Sequence, residues 1–137
     1  MEQFFVFVGE QWLLVSVLIA LVFGYFWTEG TKAGKVLSSH AATLLINNDE
    51  AHVLDIREAK EYKQGSIVKN AMHIPHNRVV ERMSELEPHK AKTILLVDQM
   101  GHHAAAVGRS LQAKGFTVSR LQGGVAEWTN QKLPLIK

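Results

Sequence analysis

Ile94-Leu-Leu-Val-Asp-Gln-Met-Gly-His-His-Ala-Ala-Ala-Val-Gly-Arg-Ser-Leu111 decides the fold. Its start, Thr93 to Val97, is an unbroken apolar run of strand length, the kind that is covered on both faces in a parallel sheet. An Ala-rich helix is expected from about His103 to Lys114, stopped by Gly115, a residue suited to a left-handed cap. Between strand and helix lies a short loop, Asp98-Gln-Met-Gly-His-His103. Corners of this kind turn several backbone N–H groups toward one point, where an anion or a nucleophile is held. This one opens with an aspartate, so the question is whether Asp98 does chemistry there or fills the seat.

Working outward, the same alternation recurs. Ser39 is expected to cap a short helix that ends at Asn47-Asn48, and His52 to Ile56 reads as a strand bounded by polar turns. Glu58 to Lys63 reads as a short helix, and Ala71 to Ile74 as a very short strand ended by Pro75. Asn77 is expected to cap a helix through about Leu86, closed by Pro88. Beyond Gly115, Phe116 to Leu121 reads as a strand, Gly123-Gly124 as a tight turn and Val125 to Asn130 as a last helix. Strands alternating with helices predict an α/β domain with a mainly parallel central sheet flanked by helices. Ligands in such sheets sit outside the carboxyl ends of the strands, and two of those ends are chemically marked, at Asp55-Ile-Arg57 and at Asp98.

The N-terminal segment differs in kind. Trp12 to Trp27, WLLVSVLIALVFGYFW, carries no charge, and the first basic side chain of the chain is Lys32. At 1.5 Å per residue the run spans about 24 Å, a little short of a hydrocarbon core of about 30 Å, and Trp12 and Trp27 stand where indoles favour the headgroup level. A cleaved signal peptide would need a basic leading region and a small-residue cleavage site, and the flanks hold Glu2, Glu10 and Tyr25-Phe-Trp-Thr-Glu-Gly30 instead. The expected organisation is a short N-terminal tail over residues 1–11, a single transmembrane helix over 12–27, a polar linker over 28–36 and a domain over 37–137. Lys32 and Lys35 follow the span and no basic residue precedes it, so the N-terminus is expected outside and the domain in the cytoplasm.

Composition narrows the chemistry. The 137 residues include 15 Lys and Arg against 13 Asp and Glu, scattered and not in runs, which gives nucleic-acid binding little support. There is no cysteine, so neither a disulfide framework nor thiol chemistry is available. No cofactor is expected. His102 and His103 are adjacent and diverge on a helix, and His73 and His76 flank Pro75, so no metal site is expected and the seven histidines read as surface or cap residues.

Several separated motifs, in order, resemble one family. Val53-Leu-Asp-Ile-Arg57, Glu61-Tyr62, Gly65-Ser-Ile67 and Ala71-Met-His-Ile-Pro75 look like the first half of a rhodanese-like domain. Gly101, Leu111 with Gly115-Phe116, Leu121-Gln-Gly-Gly-Val-Ala-Glu-Trp128 and Leu133-Pro-Leu135 look like the second. With the apolar segment in front, the chain is similar to the single-pass rhodanese-like proteins of the proteobacterial inner membrane. Active members of that family carry a persulfide on a cysteine at the first loop position and a basic residue near the loop's end. In register those positions fall on Asp98 and His103, while Gly101 keeps its place.

The resemblance therefore implies an emptied function. A carboxylate cannot hold a persulfide, and its charge repels an anionic sulfur donor. Its oxygens are expected to accept the loop N–H groups themselves, leaving a vestigial loop of Asp98, Gln99, Met100, Gly101, His102 and His103, supported by Asp55 and Arg57. Aspartyl-phosphate chemistry would need a second carboxylate for Mg²⁺, which Asp98-Gln-Met-Gly101 does not supply. The expectation is a catalytically inactive module that binds a membrane protein or membrane-associated complex. The alternatives are a sulfur-relay component whose partner supplies the thiol, a residual hydrolase using the Asp98 loop, and a scaffold in which the apolar helix alone does the recognising.

Overall fold

A computed structural model describes residues 1–136, with residues 28–32 described by their backbone alone. It divides into two compact units, Met1–Thr31 and Lys32–Lys137.

The first unit is two helices, α1 (Glu2–Glu10) and α2 (Trp12–Lys32), separated at Gln11. Two expectations are corrected here. Glu2–Glu10 of the expected tail is helical, and the helix that begins at Trp12 runs on to Lys32 through the first part of the expected linker. No single helix among the described residues is long and apolar enough to cross a membrane; Glu2–Glu10 and Trp12–Trp27 meet that test only as a pair, bent by 84°. Both helices leave large apolar side chains bare, Leu13, Leu18, Leu21, Phe23 and Trp27 among them.

The second unit is built on five parallel strands. In chain order they are β1 (Lys35–Leu37), β2 (Ala51–Asp55), β3 (Met72–His73), β4 (Thr93–Val97) and β5 (Val118–Leu121), arranged β1-β5-β4-β2-β3. The helices are α3 (Ser39–Asn47), α4 (Ala59–Tyr62), α5 (Ala104–Ala113) and α6 (Gly124–Asn130). The end of the expected linker, Lys35 and Val36, belongs with Leu37 to β1, an edge strand of three residues with one buried position. Such a strand is too short to show alternation in the sequence. Ser38, and not Ser39, caps α3, accepting from the Ala41 N–H at 3.2 Å. Residues 77–82 turn instead of forming the expected helix, and Met83–His89 is a 3-10 helix that contains Pro88. Its bonds span three residues, so a proline near its end removes a single donor.

The central strands explain the two-sided core. Ile94, Leu95, Leu96 and Val97 are all fully buried. Leu54, Ile94 and Leu96 pack with Ala104, Val107 and Leu111 of α5 and with Leu86 and Val79 on one face. Val53, Leu95 and Val97 face Leu37, Ala42, Val125 and Trp128 on the other. Burying one leucine or isoleucine side chain contributes about 1.5–3 kcal/mol, so this run is a major part of the domain's stability. α5 comes so close to the chain before β1 that a Cβ on Gly108 would strike the Ala33 carbonyl.

Candidate functional site

Because all five strands are parallel, their carboxyl ends lie together, and the site forms there. β4 ends at Val97 and delivers Asp98, which is only 4% exposed. One carboxylate oxygen, Oδ1, accepts the Gln99 N–H at 2.8 Å, and the other, Oδ2, accepts the His103 N–H at 2.6 Å. Gly101 at φ 91 turns the loop back so that His103, the residue capping α5, presents its N–H to the carboxylate. The charge thus lies at the N-terminus of a ten-residue helix, where the helix dipole favours it.

The loop is also braced from behind. The Val125 N–H donates to the Asp98 carbonyl at 2.8 Å and the Ala126 N–H to the Gln99 carbonyl at 2.9 Å, so the start of α6 is tied directly to the loop backbone. Gly124 sits at φ 63, and a Cβ there would collide with the Asp98 carbonyl oxygen. The Gln-Gly-Gly sequence before α6 is therefore a requirement of close approach to the loop as well as a turn.

β2 supplies the second support. Asp55 is fully buried and Arg57 is 2% exposed. The Arg57 guanidinium donates to both Asp55 oxygens, Nε at 3.0 and 3.1 Å and Nη2 at 2.8 Å, and Nη2 also donates to the Gly65 carbonyl at 2.6 Å. Nη1 reaches the Gln99 side-chain oxygen at 3.4 Å. The His73 ring meets the Arg57 carbonyl at 2.7 Å and stacks on Tyr62 at 4.2 Å. Asp55 and Arg57 therefore join the end of β2 to the loop after β4, and the Arg57 charge is committed to Asp55.

These elements enclose a cavity of about 250 Å³ lined by Arg57, Glu58, Glu61, His76, Asp98, Gln99, Met100, His102 and His103. His76 and His103 stack at 3.8 Å with their planes 7° apart and form one wall. All six loop residues expected from the sequence lie at or beside this cavity. Glu58, Glu61 and His76 were not foreseen. They follow the carboxyl ends of β2 and β3, so the rule that pointed to Asp98 would have found them had it been applied to every strand. Five of the seven histidines take part in three ring stacks, His52 with His89, His73 with Tyr62 and His76 with His103, which join separate segments of the chain. Among the described residues, no three His, Cys, Asp or Glu side chains converge as a metal site would need.

A strand-loop-helix cradle at the carboxyl edge of a parallel sheet, braced by α6, is the arrangement of one protein class. Residues 38–131 match the rhodanese-like domain family, and the chain belongs to it. It is 31% identical to YibN of Escherichia coli K12 over 142 aligned positions, covering all of this chain and 99% of that one. The protein BU052 of Buchnera aphidicola is also 31% identical, over 99% of this chain and 97% of its own length. Among solved structures, a rhodanese-related protein from Thermoplasma volcanium superposes with a TM-score of 0.67 at 24% identity, covering 74% of this chain and 97% of that one. A thiosulfate sulfurtransferase from Pseudomonas aeruginosa gives 0.66 at 24% identity over 78% of this chain and 21% of its own. At that identity the two structures support the fold.

Proposed function

We propose that the protein is a catalytically inactive rhodanese-like module, held at the bacterial inner membrane by its apolar N-terminal segment, which works by binding another membrane protein or membrane-associated complex. The observation that carries the reading is the state of the loop. A carboxylate stands at the family's nucleophile position with each oxygen on a loop N–H, in a chain without cysteine. No group there can carry a sulfane sulfur, and Glu58, Glu61 and Asp98 face the cavity while Arg57 is paired with Asp55. An anionic donor meets repulsion where an active cradle would attract it.

The bare apolar surface of α1 and α2 supports the membrane part. Confinement there would raise the effective concentration of a membrane partner without any new contact. The expected orientation, with the N-terminus outside and the domain in the cytoplasm, rests on Lys32 and Lys35 following the apolar run, and protease accessibility from each side of the membrane tests it.

The decisive experiment has two parts. Thiocyanate formation from thiosulfate and cyanide is expected to stay at the uncatalysed rate; a rate abolished by Asp98→Ala would overturn the inactivity. Crosslinking in intact membranes is expected to capture a specific partner that is lost with Glu58→Lys, a charge reversal at an exposed position lining the same cavity, while the domain melts normally. Loss only when the apolar segment is exchanged for an unrelated membrane helix would assign recognition to that segment instead.

A further inference from the structure

The opposite end of the sheet carries a second and larger cavity, of about 420 Å³, that the loop chemistry does not involve. β3 pairs with β2 only from Leu54 onward, which leaves the space beside Ala51 and Val53 open. Its floor is apolar, from Ile46, Val53 and Val68, and its polar rim brings together Lys69, Lys92, Asn70, His52 and His89. The two imidazoles stack at 3.6 Å with planes 3° apart, and the Nε2 of His52 is buried with no hydrogen-bond partner. The one acid on the rim, Asp49, holds Lys92 at 2.7 Å, but its side chain is 86% exposed, so water can replace that bond at little cost.

We propose that this cavity binds a tetrahedral oxyanion of the phosphate class between Lys69 and Lys92, with the stacked His52 and His89 as its wall. Two lysines against one exposed carboxylate make the rim positive, and an apolar floor strengthens an ion pair by excluding water. The charged and titratable groups that share the cavity with His52 are His89 from the 3-10 helix, Lys92 from the approach to β4, Asp49 from the turn after α3 and Lys69 from the segment before β3. Burial first, then His89 and Lys92, hold the His52 ring below its ordinary value of 6.5. A bound anion opposes the last two effects, so occupancy draws a proton onto His52 and binding strengthens as pH falls. A lipid headgroup and a free phosphate both carry this chemistry and are both sources of the ligand.

The test uses the full chain in zwitterionic nanodiscs with the histidine ring carbons labelled for NMR. Phosphate and sulfate are added at constant ionic strength against chloride; sulfate does not titrate near neutrality, so any pH dependence of its binding belongs to the protein. Saturable shifts at His52 and His89 are expected, tighter at pH 6 than at pH 8. Lys69→Ala and Lys92→Ala should each weaken binding about tenfold, the loss of one charged contact, and His52→Gln should keep binding but flatten its pH dependence. Discs containing phosphatidylglycerol separate the sources: the same shifts without added ion assign a headgroup, and shifts only with added ion assign a soluble phosphate. Shifts equal to those of chloride, or unchanged in both lysine variants, overturn the proposal.

Discussion

Replacing Asp98 by asparagine keeps the shape of the side chain and tests what its oxygens do. In the folded protein both oxygens face N–H donors, Gln99 on one side and His103 on the other. An amide satisfies one of them with its oxygen and turns an NH₂ group against the second. Hydrogen bonds to a charged acceptor contribute about 1.5–3 kcal/mol each, and a donor left unpaired costs about 1–3 kcal/mol. For Asp98→Ala the two losses would sum to more, but the freed N–H groups reach water through the cavity and the cost of burying a carboxylate disappears. The expected destabilisation is therefore about 2–3 kcal/mol for both Asp98→Ala and Asp98→Asn. Urea unfolding in mild detergent measures it, followed by the fluorescence of Trp128, which is buried with its indole N–H on the Pro134 carbonyl. Trp12→Phe and Trp27→Phe in the background keep the signal to the domain. Asp98→Asn within about 0.5 kcal/mol of the parent, the range of an ordinary surface change, would refute the double-acceptor role.

Other predictions follow from the same geometry. Arg57→Ala strands the fully buried Asp55 carboxylate and is expected to cost about 3–5 kcal/mol in the same unfolding assay. Arg57→Lys should recover less than half of it, because an ammonium cannot span both Asp55 oxygens and the Gly65 carbonyl together. Gly124→Ala forces a left-handed residue costing about 1–2 kcal/mol and pushes a methyl group against the Asp98 carbonyl, so amide shifts at Gln99 and Ala126 should accompany the loss of stability. His52 sets a pH dependence. Its folded-state pKa lies below 6.5, so protonation is disfavoured in the folded chain. Its contribution is complete above about 6.5 and is lost as the pH falls through the folded value, and His52→Gln should flatten that slope in phosphate-free buffer.

The sequence was most legible where one requirement acts alone. Thr93–Val97 needed burial on both faces, and an unbroken apolar run can mean little else beside glycines and helical spacing. Asp98 was located because the loop it opens sits between two well-marked elements. The segment 28–36 was misread because β1 owes its existence to pairing with β5, Lys35 with Ser119 through Leu37 with Leu121, and not to any pattern of its own. The 3-10 helix was misread as the end of a longer helix because Pro88 stops one kind of helix and is tolerated in the other. The histidine stacks were invisible for a different reason. His76 meets His103 and His52 meets His89 only after the sheet has aligned segments far apart in sequence, and no local periodicity records such a meeting.

A tethered anion differs from a bound one in what it permits afterwards. A diffusible ligand leaves the cradle and exposes its N–H groups to the next molecule, whereas the Asp98 carboxylate is covalently tethered to the main chain at very high effective concentration. Any anion that competes must displace it and then remain beside it, with Glu58 and Glu61 across the cavity. The charge preference of the site is therefore reversed while its backbone is conserved in shape by the α6 contacts and by the Asp55–Arg57 fork. On the proposed binding role, the group that suits the cavity is one that donates hydrogen bonds or carries positive charge, presented to a wall made by the His76–His103 stack. Such groups are common on protein surfaces and are the opposite of a thiosulfate ion, which is the electrostatic argument behind the binding role proposed above.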